Sequence, residues 1–142
     1  MEKYREELKK FLNEEDKFAV HIGARITSIE EGRAEAVLPV KDFLLNGVRV
    51  VQGGALFTLG DFVFAGASNS FGTRTASTSC QIHYLRPGSG KELRAVAKAV
   101  HHGKKTCLYD VEICNDAGKL VAKMSISGFI FEGENVLTCP KK

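Results

Sequence analysis

The sequence predicts an α+β fold: a curved antiparallel β-sheet wrapped around one long central helix. Three observations predict it. Residues 50–73, VVQGGALFTLGDFVFAGASNSFGT, hold a single charged residue, Asp61, in twenty-four positions. After Gly72 come four strand-like stretches with short connections, the pattern of an antiparallel meander. The chain has 142 residues, 44% hydrophobic and 26% charged, which reads as a single domain over 1–142. That is enough to bury a core without metal or disulfide staples.

The elements follow in order. Residues 3–13 place Tyr4, Leu8, Phe11 and Leu12 at helical spacing on a charged segment, one apolar face on a short helix. Residues 24–38 read as two strands divided by a turn at Glu30-Glu31-Gly32, and PVKDFLLNGVRV as a loop. Gly53-Gly54 opens a helix to about Ser70. Its apolar residues (Ala55, Leu56, Phe57, Leu59, Phe62, Val63, Phe64, Ala65, Ala67) leave no polar face, so it is buried on most sides. Gly60, Gly66 and Ala67 permit close approach by the sheet or by a second copy. Residues 75–86 alternate with Ala76, Thr78, Cys80, Ile82 and Tyr84 on one side. RPGSGKE turns the chain into Leu93, Ala95, Ala97 and Ala99. HHGKK leads to Cys107, Tyr109, Val111 and Ile113. NDAG leads to the last strand, with Leu120, Ala122, Met124, Ile126 and Ile130 on one face.

Composition excludes several classes. The formal charge is +3, its basic residues are scattered, and no helix-turn-helix or RNA-binding aromatic motif is present, which argues against a nucleic-acid partner. No run of eighteen apolar residues suits a membrane span. The start, MEKYREELKK, is charged where a secretion leader needs an apolar core. Cys80, Cys107, Cys114 and Cys139 form no C-x-x-C pair or zinc spacing, so they read as reduced thiols of a cytoplasmic protein without metal.

Asp61 is the informative residue. A carboxylate is seldom buried without a partner, because leaving water costs several kcal/mol. One reading gives it a structural role: capping another segment, pairing with an arginine, or reaching solvent at a gap. The other makes it a nucleophile or general base in an apolar cleft. Gly53-Gly54 favours the second: free N–H groups at a helix start attract negative charge and suit the oxyanion of an attacked carbonyl. Yet a helix rises about 1.5 Å per residue, so Gly53 and Asp61 stand roughly 12 Å apart along it. Two antiparallel helices in a symmetric dimer would bring Gly53 of one chain beside Asp61 of the other. The sequence therefore predicts an active site at a dimer interface, occurring twice.

At these residues the chain resembles the hotdog-fold acyl-CoA thioesterases, in their phenylacetate-degradation (PaaI-like) branch. The resemblance runs through LLNGVRVVQGGALFTLGDFVFAGASNS, YLRPGSG, HHGKKT and NDAGKLVAKMSISGFIF. The family motif, an Asn, a gap, His-Gly-Gly, then an acidic residue eight positions after the first Gly, falls on Asn46, Gln52-Gly53-Gly54 and Asp61. The resemblance implies hydrolysis of an aryl- or short/medium-chain acyl-CoA to free acid and CoA, with no cofactor. Asp61 would be the nucleophile or the base, and the partner subunit's Gly53 N–H would polarise the thioester carbonyl. Asn46 and Ser79 would position the water or the carboxylate. Arg86, His102, Lys104 and Lys105 match regions that meet the CoA moiety. The family forms homodimers that commonly pair into homotetramers.

One departure matters: Gln52 stands where the family has His. Its amide can orient a carbonyl but cannot transfer a proton. Gln52 therefore motivates a second reading, an acyl-CoA-binding or regulatory hotdog protein with little turnover. A purely structural assembly module is a third. Other motifs are weaker. His101-His102 lacks paired carboxylates for a metal, and GSGK at 88–91 lacks the rest of a phosphate loop. No G-x-S-x-G elbow is present. Cys80 reads as a small core residue, and His21 and His83 as structural or surface residues.

Overall fold

The computed structural model describes residues 1–139. Helix α1 spans Glu2–Glu15 and a short α2 spans Lys17–His21. Strands β1 (Arg25–Glu30) and β2 (Arg33–Pro39) precede the central helix α3 (Gly53–Ser68). Strands β3 (Arg74–Tyr84), β4 (Glu92–His102), β5 (Thr106–Cys114) and β6 (Leu120–Phe131) complete the chain. All six strands form one antiparallel sheet in the order β1-β2-β4-β5-β6-β3, and α3 lies across its inner face. This is the hotdog fold the sequence predicts.

Small side chains seat the helix. Ala34 stands directly opposite Ala97, and Ala36 opposite Ala95, so β2 and β4 form a shallow floor. All four are fully buried. Gly66 of α3 comes down on that floor: a Cβ there would lie 3.1 Å from that of Ala34. Gly60 receives the side chain of Met124 from β6 rather than another backbone. Leu59, Phe62, Val63 and Ala67 fill the space between helix and sheet beside Tyr109, Val111 and Ile126.

The helix is not buried all round. Gly54, Phe57, Thr58, Asp61 and Ala65 stay at least partly open, and their spacing puts them on one stripe. This stripe is the face that the protomer's own sheet leaves uncovered.

Strand β3 departs from simple alternation. Ser77 pairs with Gly128 but Ser79 with Ser127, so Thr78 is the extra residue of a bulge. Cys80, Ile82 and Tyr84 pair with Ile126, Met124 and Ala122 on the inner face, as the sequence pattern predicts. Ala76 and Thr78 do not share that face. Upstream of the bulge the inward residues are Thr75 and Ser77, opposite Ile130 and Gly128.

Candidate active site

The N-terminus of α3 is built by the loop before it. Asn46 folds that loop on itself: its Oδ1 accepts from Val48 N at 3.0 Å and Val50 N at 3.3 Å. Val51 then donates to the Gly88 carbonyl at 2.9 Å and Gln52 to the Leu44 carbonyl at 2.8 Å. Gln52 is the N-cap residue and its carbonyl accepts from Ala55 and Leu56. The Gly53 and Gly54 N–H groups find no acceptor among the described residues. They are two of the donors that a helix start leaves open, and they carry its partial positive charge. Gln52 does not cap them; its Oε1 lies over Gly54, 2.8 Å from where a Cβ would stand.

A cleft of about 390 Å³ opens beside these donors, lined by Asn46, Gly53, Leu56, Tyr84, Arg86 and Gly88 among others. Tyr84 donates to the Gly53 carbonyl at 3.2 Å, and its ring leaves no slack there: a Cβ on Gly53 would lie 3.0 Å from Cζ. The Arg86 guanidinium reaches the same cleft, braced on the Leu120 carbonyl at 2.6 Å. Three of the residues marked in the sequence, Asn46, Gly53 and Arg86, therefore meet in one place.

Asp61 is elsewhere. It sits half-buried in the middle of the open stripe of α3 and does not line that cleft. The groups that act on its titration are Asp16, as a like charge, and Ser77 of β3; the carboxylate in turn acts on Cys80 of the same strand. Burial, then the like charge of Asp16, raises the Asp61 pKa above the ordinary carboxylate value; the Ser77 hydrogen bond opposes that rise. The same carboxylate, after burial, pushes the Cys80 thiol pKa up. Asp61 has no salt-bridge partner among the described residues, so the structural reading in which it pairs with an arginine is set aside.

Ser79 does not stand beside Asp61. The bulge at Thr78 turns it to the outer face opposite Ser127, and brings Ser77 inward instead. His102 is half-buried: its Nδ1 is 2.8 Å from the Tyr109 hydroxyl and its ring stacks on Phe71 at 3.9 Å. Burial, then His101, lowers its pKa. Lys104 and Lys105 are exposed at the β4–β5 turn. That turn is at the opposite end of the sheet from Arg86, roughly 30 Å along the strands. One protomer thus separates the cleft, the carboxylate and the lysines. Among the described residues no cluster suits a metal ion, and no helix is long and apolar enough to cross a membrane.

Ser77, Tyr84 and Asp16 are the site neighbours that sequence reasoning missed. Tyr84 carried a signal in its alternation with Cys80 and Ile82. Ser77 carried none, because alternation alone does not locate a bulge.

Comparison with known proteins identifies the family and the fold. Residues 49–122 match the model of the Thioesterase superfamily. An acyl-coenzyme A thioesterase of Escherichia coli, PaaI, is 43% identical over 110 residues, 77% of this chain and 79% of that protein. The solved structure of the E. coli PaaI protein from the phenylacetic acid degradation operon superposes with a TM-score of 0.89 at 34% identity, covering 95% of this chain and 99% of that one. A thioesterase protein of Streptococcus pneumoniae, solved with coenzyme A, superposes at 0.79 with 28% identity, covering 87% of this chain and 98% of the other.

Proposed function

The chain belongs to the thioesterase superfamily, and from that premise we propose that it is an acyl-CoA thioesterase whose active site is completed by a second copy of itself. The observation that carries this reading is the separation of parts. Open N–H donors and a raised carboxylate lie on the same helix, about two turns apart. An antiparallel α3 from a partner, laid along the open stripe, sets its Gly53 against Asp61. Pairing β3 with the partner's β3 in antiparallel sense also brings the Arg86 end of one chain toward the Lys104–Lys105 end of the other. Those three cations then face the phosphates of one CoA. Two such dimers form the homotetramer of this reading, and its free cysteines suit the cytoplasm.

In the general-base route Asp61 takes a proton from water as the oxygen adds to the thioester carbon. The oxyanion is held by the partner subunit's Gly53 N–H at the positive end of α3. Collapse of the tetrahedral intermediate breaks the C–S bond, and the CoA thiolate takes up a proton. In the nucleophilic route Asp61 itself adds to the carbon, CoA leaves, and water opens the resulting anhydride. Ser77 fixes the carboxylate in both. Asn46 holds the loop that places Gly53, its amide nitrogen left to meet water or the partner's carboxylate.

Free-thiol release from aryl-, short- and medium-chain acyl-CoAs tests the activity, with wild type and Asp61→Asn side by side. Turnover that collapses in the variant supports the reading and identifies the acyl class. Acyl-CoA binding with no turnover by either protein favours the binding protein that Gln52 suggests. Subunit sharing has its own test. Gly53→Pro removes the N–H where proline is tolerated, at the first helical position, and Gly53→Ala controls for the added Cβ. Asp61→Asn and Gly53→Pro, each inactive alone, recover about a quarter of wild-type activity when refolded together, because each mixed dimer regains one intact site. A mixture that stays inactive refutes the shared site.

A further inference from the structure

A second cavity, of about 470 Å³, meets the start of α3. Gly54, Ala55 and Thr58 of α3 form one wall, Phe18, His21 and Ile22 of the α2 segment another, and Phe43, Leu44 and Leu45 a third. Local structure presents these side chains together. Phe18, His21 and Ile22 are three and four residues apart, so one face of α2 carries all three. Asp16 starts that helix, its Oδ1 accepting from Ala19 N at 3.4 Å. Phe43 and Leu44 belong to a single 3-10 turn, Asp42–Leu44. The Gln52 N–H ties that turn to α3 through the Leu44 carbonyl at 2.8 Å.

The lining is mostly carbon. Among the described residues no Lys, Arg, Asp or Glu lines the cavity, and His21 is the one lining side chain that can carry a charge. Thr58 spends its hydroxyl proton on the Gly54 carbonyl at 2.9 Å. Ile22 and Leu44 are buried, whereas Phe18 and Phe43 are each 65% exposed. Phenyl rings left in water around one cavity mark a surface that something apolar covers.

The position of the cavity says what covers it. Gly53 and Leu56 line the cleft that contains Arg86, while Gly54, Ala55 and Thr58 line this one, so two cavities flank one helix start. A thioester also has two arms. With its carbonyl at the Gly53 N–H, one arm leads through sulfur to the phosphates of CoA and the other through carbon to the acyl chain. One cavity holds the guanidinium and the other holds the phenyl rings.

We infer that the second cavity takes the acyl group and that Phe18 and Phe43 select it: uncharged apolar acyl groups long enough to reach the two rings are preferred over acetyl. This rests on the thioesterase site proposed above. An acyl group that stops short of the rings gains nothing from them, and each methylene buried beyond that point raises kcat/KM about fourfold. The short helix α2 is thereby a selectivity element.

The test is kcat/KM for acetyl-, butyryl-, hexanoyl- and octanoyl-CoA in wild type, Phe18→Ala and Phe43→Ala. Wild type is expected to rise with chain length, and each variant to lower the octanoyl-to-acetyl ratio about tenfold. Both rings are mostly exposed, so truncating them leaves the fold intact. A flat wild-type profile, or a ratio that both variants leave unchanged, overturns the inference. Sedimentation at the assay concentration addresses the other occupant: variants that dissociate while the ratio holds show that the rings cover a second copy, which also overturns it. Where hydrolysis is too slow to measure, calorimetry of the same thioesters on Asp61→Asn reads the ratio as Kd values. Full activity in Asp61→Asn is a different failure, since it removes the site reading itself; an Asp61-dependent enzyme with a flat profile removes this inference alone.

Discussion

Gly60→Ala tests how α3 is seated. Gly60 is buried, and a Cβ placed on it would overlap Met124 Sδ and lie 2.9 Å from Cε. Met124 is itself only 1% exposed. On an open helix the substitution would gain about 1 kcal/mol. Here the extra methyl meets a filled space, and overpacking costs about 1–3 kcal/mol. Methionine is flexible, which keeps the cost toward the lower part of that range. The net expectation is a loss of about 0–2 kcal/mol where an open site would give a gain. Urea unfolding at fixed protomer concentration reads the difference, since the proposed dimer would make stability depend on concentration. Met124→Ala supplies the control. Alone it costs about 2–5 kcal/mol. In its background the methyl added by Gly60→Ala enters vacated space, so that second substitution becomes stabilising, with a coupling of at least about 1 kcal/mol. Additive effects, or a wild-type background that gains stability from Gly60→Ala, would refute this seating of the helix.

Three further outcomes follow from the electrostatics around Asp61. Its raised pKa means the ionised form costs stability at neutral pH, a cost that falls as pH drops through the folded-state pKa and is gone below the unfolded value of 3.8. Asp61→Asn therefore raises Tm at pH 7, and the gain over wild type shrinks to nothing at strongly acidic pH in paired melting scans. Ser77→Ala removes a hydrogen bond that favours the ionised carboxylate, so the acid limb of the kcat–pH profile moves up, while Ser79→Ala leaves it in place. Cys80 is held as a thiol by burial and by Asp61, so iodoacetamide alkylates it slowly at pH 8; mass spectrometry finds a faster rate in Asp61→Asn.

The parts of this molecule governed by local periodicity were legible in the sequence. Alternation in β4, β5 and β6 marked inward residues that are now buried, such as Leu93, Val111 and Ile126. The apolar run around Asp61 marked the central helix. What periodicity could not show was a change of phase. A single extra residue at Thr78 exchanges the faces of everything on one side of it, and so Ser77, not Ser79, meets Asp61. Distance along the sheet was equally hidden. Arg86 and Lys104 are eighteen positions apart in sequence, yet the length of β4 puts them at opposite ends of the sheet. His102 looked like a turn residue free to meet a ligand, but its aromatic partners Phe71 and Tyr109 come from distant elements.

The two edges of the sheet bear on why a lone carboxylate is kept in so apolar a helix. The β1 edge is covered: α1 packs on it, and Asn13 takes up the outward N–H and carbonyl of Ile26. The β3 edge runs eleven residues with no helix over it among the described residues, and between Arg74 and Tyr84 its sequence, TASTSCQIH, has no Lys, Asp, Glu or Pro to repel another strand. An open edge of that length and neutrality invites pairing. Next to it lies the stripe of α3 with Phe57 38% exposed and Asp61 half-buried. Edge and stripe lie on the same side of the protomer, because the Asp61 carboxyl interacts with Ser77 and Cys80 of β3. In the proposed dimer, a partner that pairs with the edge would also cover the stripe, so the desolvation that raises Asp61 would deepen as the partner's open N–H donors arrive. On the proposed reading, association and activation of the base would be one event, and the isolated monomer would be a poor hydrolase.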